Sequence, residues 1–181
     1  MATHSVVIGG TLSRTTLFIT ATVNAPDRER LLLVLHGAGI LLLGLLSGLP
    51  AVAEEMAGTQ PTTWRAAHGA LLLAGVWLLA SAGVLPLLVL PPRQRGALAW
   101  ALLATGYAFT AAVLIQAVTG VRALSPQGSM SSWIAFAANL ITVACGVLAA
   151  LLTFLGARGA LRSPSSNVGR QVGARFSKSN T

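Results

Sequence analysis

Four stretches of this chain, Leu31–Leu49, Ala66–Leu90, Ala97–Thr119 and Trp133–Leu155, contain no charged residue. Each is about as long as the ~20 residues a helix needs to cross the hydrocarbon core of a bilayer. Hydrocarbon offers no partner to a backbone N–H or C=O, so runs of this kind must pair their backbone internally and form helices. The sequence therefore predicts an all-α integral membrane protein, a bundle of four transmembrane helices. The spans fall at about 31–50, 66–90, 97–119 and 132–156, within a membrane domain of residues 31–156. An N-terminal segment, 1–30, precedes this domain, and a basic tail, 157–181, follows it. Only 9% of the 181 residues are charged and the mean hydropathy is +0.75, whereas a soluble domain carries about 25% charged residues.

The net charge of +8 would suit nucleic acid, but the placement of the charges argues against such a partner. Arg14, Arg28 and Arg30 precede the first span, and Arg93 and Arg95 lie between the second and third. Arg158, Arg162, Arg170, Arg175 and Lys178 follow the fourth, while the other two loops hold only Arg65 and Arg122. A split of ten against two is an orientation signal, because basic residues stay on the cytoplasmic side. It predicts a multi-pass protein of the cell (plasma or inner) membrane with both termini and the central turn inside, its basic tail lying against anionic lipid. Trp64, Trp100 and Trp133 fall at span ends, where interfacial aromatics belong.

The ends of the spans follow from local chemistry. Ala25-Pro26-Asp27 reads as a helix start, with Pro in the first turn and Asp27 and Glu29 at the positive end of the helix dipole. The first span is expected to reach Pro50 and the second to stop at Pro91-Pro92, with a bend at Pro86. A Thr of Gln60-Pro61-Thr62-Thr63 is placed to cap the second helix. Ala21–Ala25 resembles a cleavage site, but Arg14 interrupts the apolar stretch before it, so an uncleaved interfacial segment is expected. The tail from Pro164, rich in Ser, Asn, Gly and Arg, has the composition of a disordered segment. Small residues, Gly44 and Gly48 on the first span and Ala104, Ala108 and Ala112 on the third, permit close helix approach, more as contacts inside the bundle than as an oligomer interface. Cys145 is alone and is read as a packing residue.

Few polar side chains lie inside the spans, among them His36, His68, Ser81, Thr105, Tyr107, Thr110, Gln116, Asn139 and Thr142. Ionisable groups at membrane depth are functional candidates by default, which singles out the two histidines. His36 sits near the inner end of its span and His68 near the outer end of its own, about 15–20 Å apart along the membrane normal. That separation disfavours one small ion, or one haem, held by both, and a zinc site needs three or four ligands. Each histidine also has a plain structural reading, packed against a carbonyl for His36 and interfacial for His68. A single His can hold haem iron and leave the opposite face open. Trp64 stands one turn before His68 on the same face, Arg65 is placed to pair a propionate, and Ala66, Ala67, Gly69 and Gly75 leave room for a flat macrocycle.

The stretch Trp64-Arg65-Ala66-Ala67-His68-Gly69, opening the second of four spans, resembles the haem-ligand segment of the membrane-bound styrene oxide isomerases. His36-Gly37, Pro86, Gly106-Tyr107 and the run Cys145–Ala149 fall in the same order as their counterparts there, and the resemblance covers roughly residues 31–156. It implies haem b as cofactor, His68 as the iron ligand, and Trp64 and Arg65 beside it. It also implies a small apolar epoxide substrate, rearranged to an aldehyde on a ferric Lewis acid without net redox change, in what is expected to be a homo-oligomer. The family's catalytic Asn falls on Ala74 and its catalytic Tyr on Val113, neither of which can hydrogen-bond an epoxide oxygen. Thr110 and Gln116, three residues either side of Val113, are the candidate substitutes. Two alternatives remain: a non-catalytic membrane haem carrier or sensor, and a haem-free four-helix accessory protein.

Overall fold

The computed structural model describes residues 25–58, 62–120 and 128–162. Within them the chain forms four helices long and apolar enough to cross a membrane: α1 (Ala25–Met56), α2 (Thr62–Val84), α3 (Pro92–Thr119) and α4 (Met130–Arg162). No strand occurs among the described residues. The readings of the N-terminal segment before Ala25, the residues at 121–127 and the tail beyond Arg162 lie outside them.

The helices pack as two hairpins, α1 on α2 and α3 on α4, joined mainly along α2 and α3, with α1 also touching α3. Glycine sets the spacing of the first hairpin. A Cβ on Gly75 would lie 2.7 Å from the Leu41 backbone nitrogen, and one on Gly44 would lie 2.9 Å from that of Leu72. The two backbones are therefore in direct contact, which is what small residues achieve where lipid gives no hydrophobic drive to associate. Gly44 and Gly48 thus serve the bundle itself. Around this seam Leu33, Ile40, Ala74 and Leu78 join Leu98, Leu102 and Leu103 of α3 in a continuous core.

The ends of the helices depart from the expected span limits for identifiable reasons. α1 runs through Pro50 to Met56, since one missing N–H is tolerated near a helix end in a membrane protein. The second helix does not run to Pro91 with a mere bend. It stops at Val84, and Leu85–Leu87 make a single 3-10 turn with Pro86 inside it. The Pro86 ring disfavours helical geometry in the residue before it and removes a donor. Leu88 is then extended (φ −83°, ψ 131°). Pro91-Pro92 instead open α3, with Pro92 in its first turn, where its missing N–H is one the helix would leave unpaired anyway.

Residues 88–90 lie across α4. The Val89 N–H donates to the Gly156 carbonyl at 3.2 Å. Cβ atoms on Gly156 and Gly159 would meet Leu90 Cγ and the Val89 carbonyl, each at 2.9 Å. These two glycines are a notch for the extended segment. At the other end of α4, the Ser132 N–H donates to Ser129 Oγ at 3.2 Å, an N-cap. α3 ends on Gly120 in the left-handed region (φ 67°), its N–H bonded to the Gln116 carbonyl. The N-terminal ends of α1 and α3 are tied by Glu29 and Arg95 at 3.1 Å, both mostly buried.

Candidate functional site around His68

His68 lies on the side of α2 that meets α1. Its ring rests over Gly48, where an added Cβ would come within 3.1 Å of Nδ1 and 3.2 Å of Cε1. His68 Nδ1 is 2.7 Å from the Gly44 carbonyl oxygen. A carbonyl only accepts, so the Nδ1 proton is fixed by its partner, and the neutral ring presents Nε2 as a bare lone pair. The same arrangement orients the metal-ligating histidines of proteins in general. Ser47, also buried, donates to the Gly44 carbonyl at 2.6 Å. Ser47 escaped the reading of the sequence. The signal was the spacing Gly44-x-x-Ser47-Gly48, which puts a hydroxyl one turn from a glycine carbonyl.

Trp64, half-buried, opens α2 one turn before His68. Arg65 next to it is ion-paired with Glu55 at 2.8 Å, both side chains well exposed. Beside His68, the Cα of Gly69 has open space where a side chain would stand. Among the described residues no group of three or more His, Cys, Asp or Glu is arranged to hold a metal ion.

The register of α1 on α2 fixes the other histidine far away. Gly48 faces His68, Gly44 faces Leu71 and Leu72, and Gly37 faces Leu78 and Leu79. His36 is therefore level with the region of Leu79, eleven residues along α2 from His68, or about 16 Å. Its partner is Tyr107 of α3: Nδ1 and the phenol oxygen are 2.6 Å apart, with the rings edge-on at 74°.

Ala74 and Val113 can be placed in depth by the same means. Gly106 of α3 faces Leu78 of α2, and the helices are antiparallel. Measured outward from that contact, Ala74 lies at about 6 Å, Val113 at about 10 Å and His68 at about 15 Å. The three form a series with neighbours about 4–5 Å apart in depth. Thr110 lies level with Ala74 and Gln116 level with His68. The Thr110 hydroxyl donates to the Gly106 carbonyl at 2.8 Å and the Gln116 amide to the Ala112 carbonyl at 3.2 Å. The Thr110 hydroxyl is thereby used by its own helix, and the Gln116 amide uses one of its two N–H groups.

Ala74 borders a groove of about 540 Å³ between α2 and α4, floored by α3. Trp77, Gly106, Phe109 and Val143 contribute to its lining. Thr105 and Thr142 border it too, but their hydroxyls are bonded back to Ala101 and Ala138, so the groove is apolar. A second groove of about 520 Å³ continues it toward Leu88 and Phe154, sharing Trp77 and Gly146. Cys145 on α4 is a half-buried free thiol.

No curated protein and no solved structure matches this chain. The family model for styrene oxide isomerase matches residues 29–161, all but the first turn of α1 and the last residue of α4. With four membrane-length helices, and with Trp64 and His68 opening the second, the chain belongs to the styrene oxide isomerase family.

Proposed function

We infer that the protein binds haem b through His68 Nε2 in the cell membrane and isomerises small apolar epoxides to aldehydes. The observation that carries this reading is the bond from His68 Nδ1 to the Gly44 carbonyl. With Nδ1 donating to that carbonyl, the other ring nitrogen keeps its lone pair for a ligand. The residues fit a flat group: Gly48 lies under the imidazole, and the open Cα of Gly69 stands beside it. Trp64 offers an aromatic face. Arg65 is positioned to exchange Glu55 for a propionate, at little cost because their ion pair is exposed.

A ferric haem supplies a Lewis acid for an epoxide oxygen. The chain supplies the rest. His68 donates the lone pair and is held in one tautomer by Gly44. The apolar groove beside Ala74 lies on the side of α2 turned away from Gly48, so it would take an aryl or alkyl substituent of a substrate held at a neighbouring copy's site and keep water from a carbocation centre. A homo-oligomer belongs to the proposal, because one narrow bundle leaves much of a macrocycle uncovered.

A haem carrier or sensor is the second reading, favoured by Ala74 and Val113, where the family's hydrogen-bonding groups are missing. An absorption spectrum of detergent-purified protein tests haem binding. His68→Ala should lose most pigment and His36→Ala should keep it. Turnover then separates the two haem readings. Weak conversion of an aryl epoxide to its aldehyde is expected, raised by Ala74→Asn with Val113→Tyr. No turnover in either haem-loaded form leaves the carrier.

A further inference from the structure

The two hairpins leave a gap that no helix closes. Packing joins α1 to α2, α3 to α4 and α2 to α3, whereas α2 and α4 scarcely touch. The groove of about 520 Å³ occupies the part of this gap nearest the start of α3, with Trp77, Val84 and Leu88 on one side and Gly146, Ala150 and Phe154 on the other. Ser81 and Thr153 border it, but their hydroxyls donate to the Trp77 and Ala149 carbonyls, so neither has a proton to offer an occupant. From Gly146 to Phe154 the groove runs about 12 Å along α4, most of the ~15 Å depth of one leaflet's hydrocarbon. Its volume over that length gives a cross-section of about 40 Å², against about 80 Å² for a helix 10 Å across. A helix of a neighbouring copy is too wide to enter, whereas an acyl chain lying along the membrane normal fits.

The mouth of the groove carries charge of one sign. The end of the bundle where α1 and α3 begin and α4 finishes holds Arg28, Arg30, Arg93, Arg95, Arg158 and Arg162 against Asp27 and Glu29, and Glu29 is taken by Arg95. The Val89–Gly156 bond places the Leu88 end of the groove there. Arg158 is exposed and stands one turn beyond Phe154 on the same face of α4. Helical side chains lean toward the N-terminus of their helix, which for Arg158 is back over the groove. Among the described residues no ion pair engages it. Gln94, also exposed, stands one turn before Leu98, which lines the groove from α3. In a homo-oligomer arranged about the membrane normal this end of every copy keeps to the same face, so assembly adds to the positive charge.

We propose that this groove holds one acyl chain of an anionic phospholipid, with Arg158 and Gln94 binding its phosphate at the mouth. The chain fills the gap between α2 and α4 and completes a bundle that the helices alone leave open. A zwitterionic lipid brings the same chain and phosphate, but its own cation offsets the attraction of Arg158. The site therefore prefers a net negative headgroup, by about fivefold for one arginine engaged.

Trp77 in the groove wall makes the site readable, because a brominated acyl chain quenches an indole that it touches. The full chain in detergent micelles is titrated with phosphatidylglycerol brominated at mid-chain, and with phosphatidylcholine carrying the same chains. Lipid that merely mixes into the micelle quenches equally with either headgroup, so the excess from the anionic lipid reports the site. A saturable excess is expected, with phosphatidylglycerol bound about fivefold more tightly. Trp77→Phe should remove the excess, and Arg158→Gln should bring phosphatidylglycerol to the level of phosphatidylcholine. Ala150→Leu, which narrows the groove and keeps every arginine, should remove saturable quenching by both. Arg28→Gln deletes the same charge on a helix that does not line the groove and should keep the preference. A large excess of inorganic phosphate should leave it unchanged. Equal quenching by the two lipids, an excess that survives Trp77→Phe, equal losses from Arg28→Gln and Arg158→Gln, indifference to Ala150→Leu, or displacement by phosphate would each overturn the proposal. Dissociation of lipid-free oligomers by Ala150→Leu, followed by light scattering in the same micelles, would overturn it too and give the groove to a second copy of the chain.

Discussion

Gly48→Ala separates the positioning of His68 from the stability of the bundle. The new Cβ would stand 3.1 Å from Nδ1 and 3.2 Å from Cε1, close enough that the ring must give by a few tenths of an ångström. That ring is held at the other side by a 2.7 Å bond to the Gly44 carbonyl, so the displacement acts on this bond. Weakening one hydrogen bond removes about 0.5–1.5 kcal/mol at most. Replacing a helical glycine by alanine returns up to about 1 kcal/mol. The two nearly cancel, and the melting temperature should move by no more than a few degrees. Haem affinity should not cancel, because disturbing the partner of a ligating histidine typically costs about 10- to 100-fold. Haem is titrated into purified protein at its main absorption band, and thermal loss of helicity is followed in parallel. Wild-type haem affinity in Gly48→Ala would refute the argument that the Gly44–His68 bond positions the ligand. A collapse in stability would show that Gly48 is a packing residue first.

Gly75→Ala drives a Cβ to 2.7–2.8 Å from the Leu41 backbone and should destabilise the first hairpin by about 1–3 kcal/mol. Gly83→Ala, in α2 with nothing within 4 Å, should cost nothing and return up to about 1 kcal/mol in the same thermal assay. Glu55→Gln breaks an ion pair whose side chains are 62–65% exposed and should change stability by less than about 1 kcal/mol. Arg65→Ala should slow or weaken haem uptake most at low salt, and an effect independent of salt would count against a propionate contact. Reporter fusions at Thr181 and within residues 51–63 should give opposite signals, the first cytoplasmic, as the distribution of basic residues requires.

The four spans were legible because hydrocarbon leaves a chain few choices. The position of His68 at the start of α2 was legible from its distance to Trp64 and to the end of the apolar run. The break at Pro86 was underestimated, since the notch that receives residues 88–90 is built by Gly156 and Gly159 of a helix distant in sequence. Glycines within a run of Leu and Ala do not announce which of them face a neighbour. The seat of His68 was hidden for the same reason. The Gly44 carbonyl carries no side-chain signature, and only the antiparallel register of α1 on α2 brings it to Nδ1. The pairing of Tyr107 with His36 depends on a contact between α1 and α3 that sequence spacing does not encode.

In the proposed reading, the chemistry divides into two parts carried by different residues of this chain. Holding the imidazole needs a carbonyl and a missing side chain, Gly44 and Gly48 on α1. Orienting an epoxide needs a donor at the depth of Ala74 or Val113, on α2 and α3. The two parts draw on different residues, so the second can be lost with every residue of the first kept. Thr110 replaces it only by giving up the bond to its own helix, whereas Gln116 has a second amide N–H besides the one bonded to the Ala112 carbonyl. A preorganised donor is worth about 2.7–4 kcal/mol at the transition state. The expected outcome is a protein that retains its pigment site and isomerises slowly, with substrate orientation left to the walls of the groove beside Ala74.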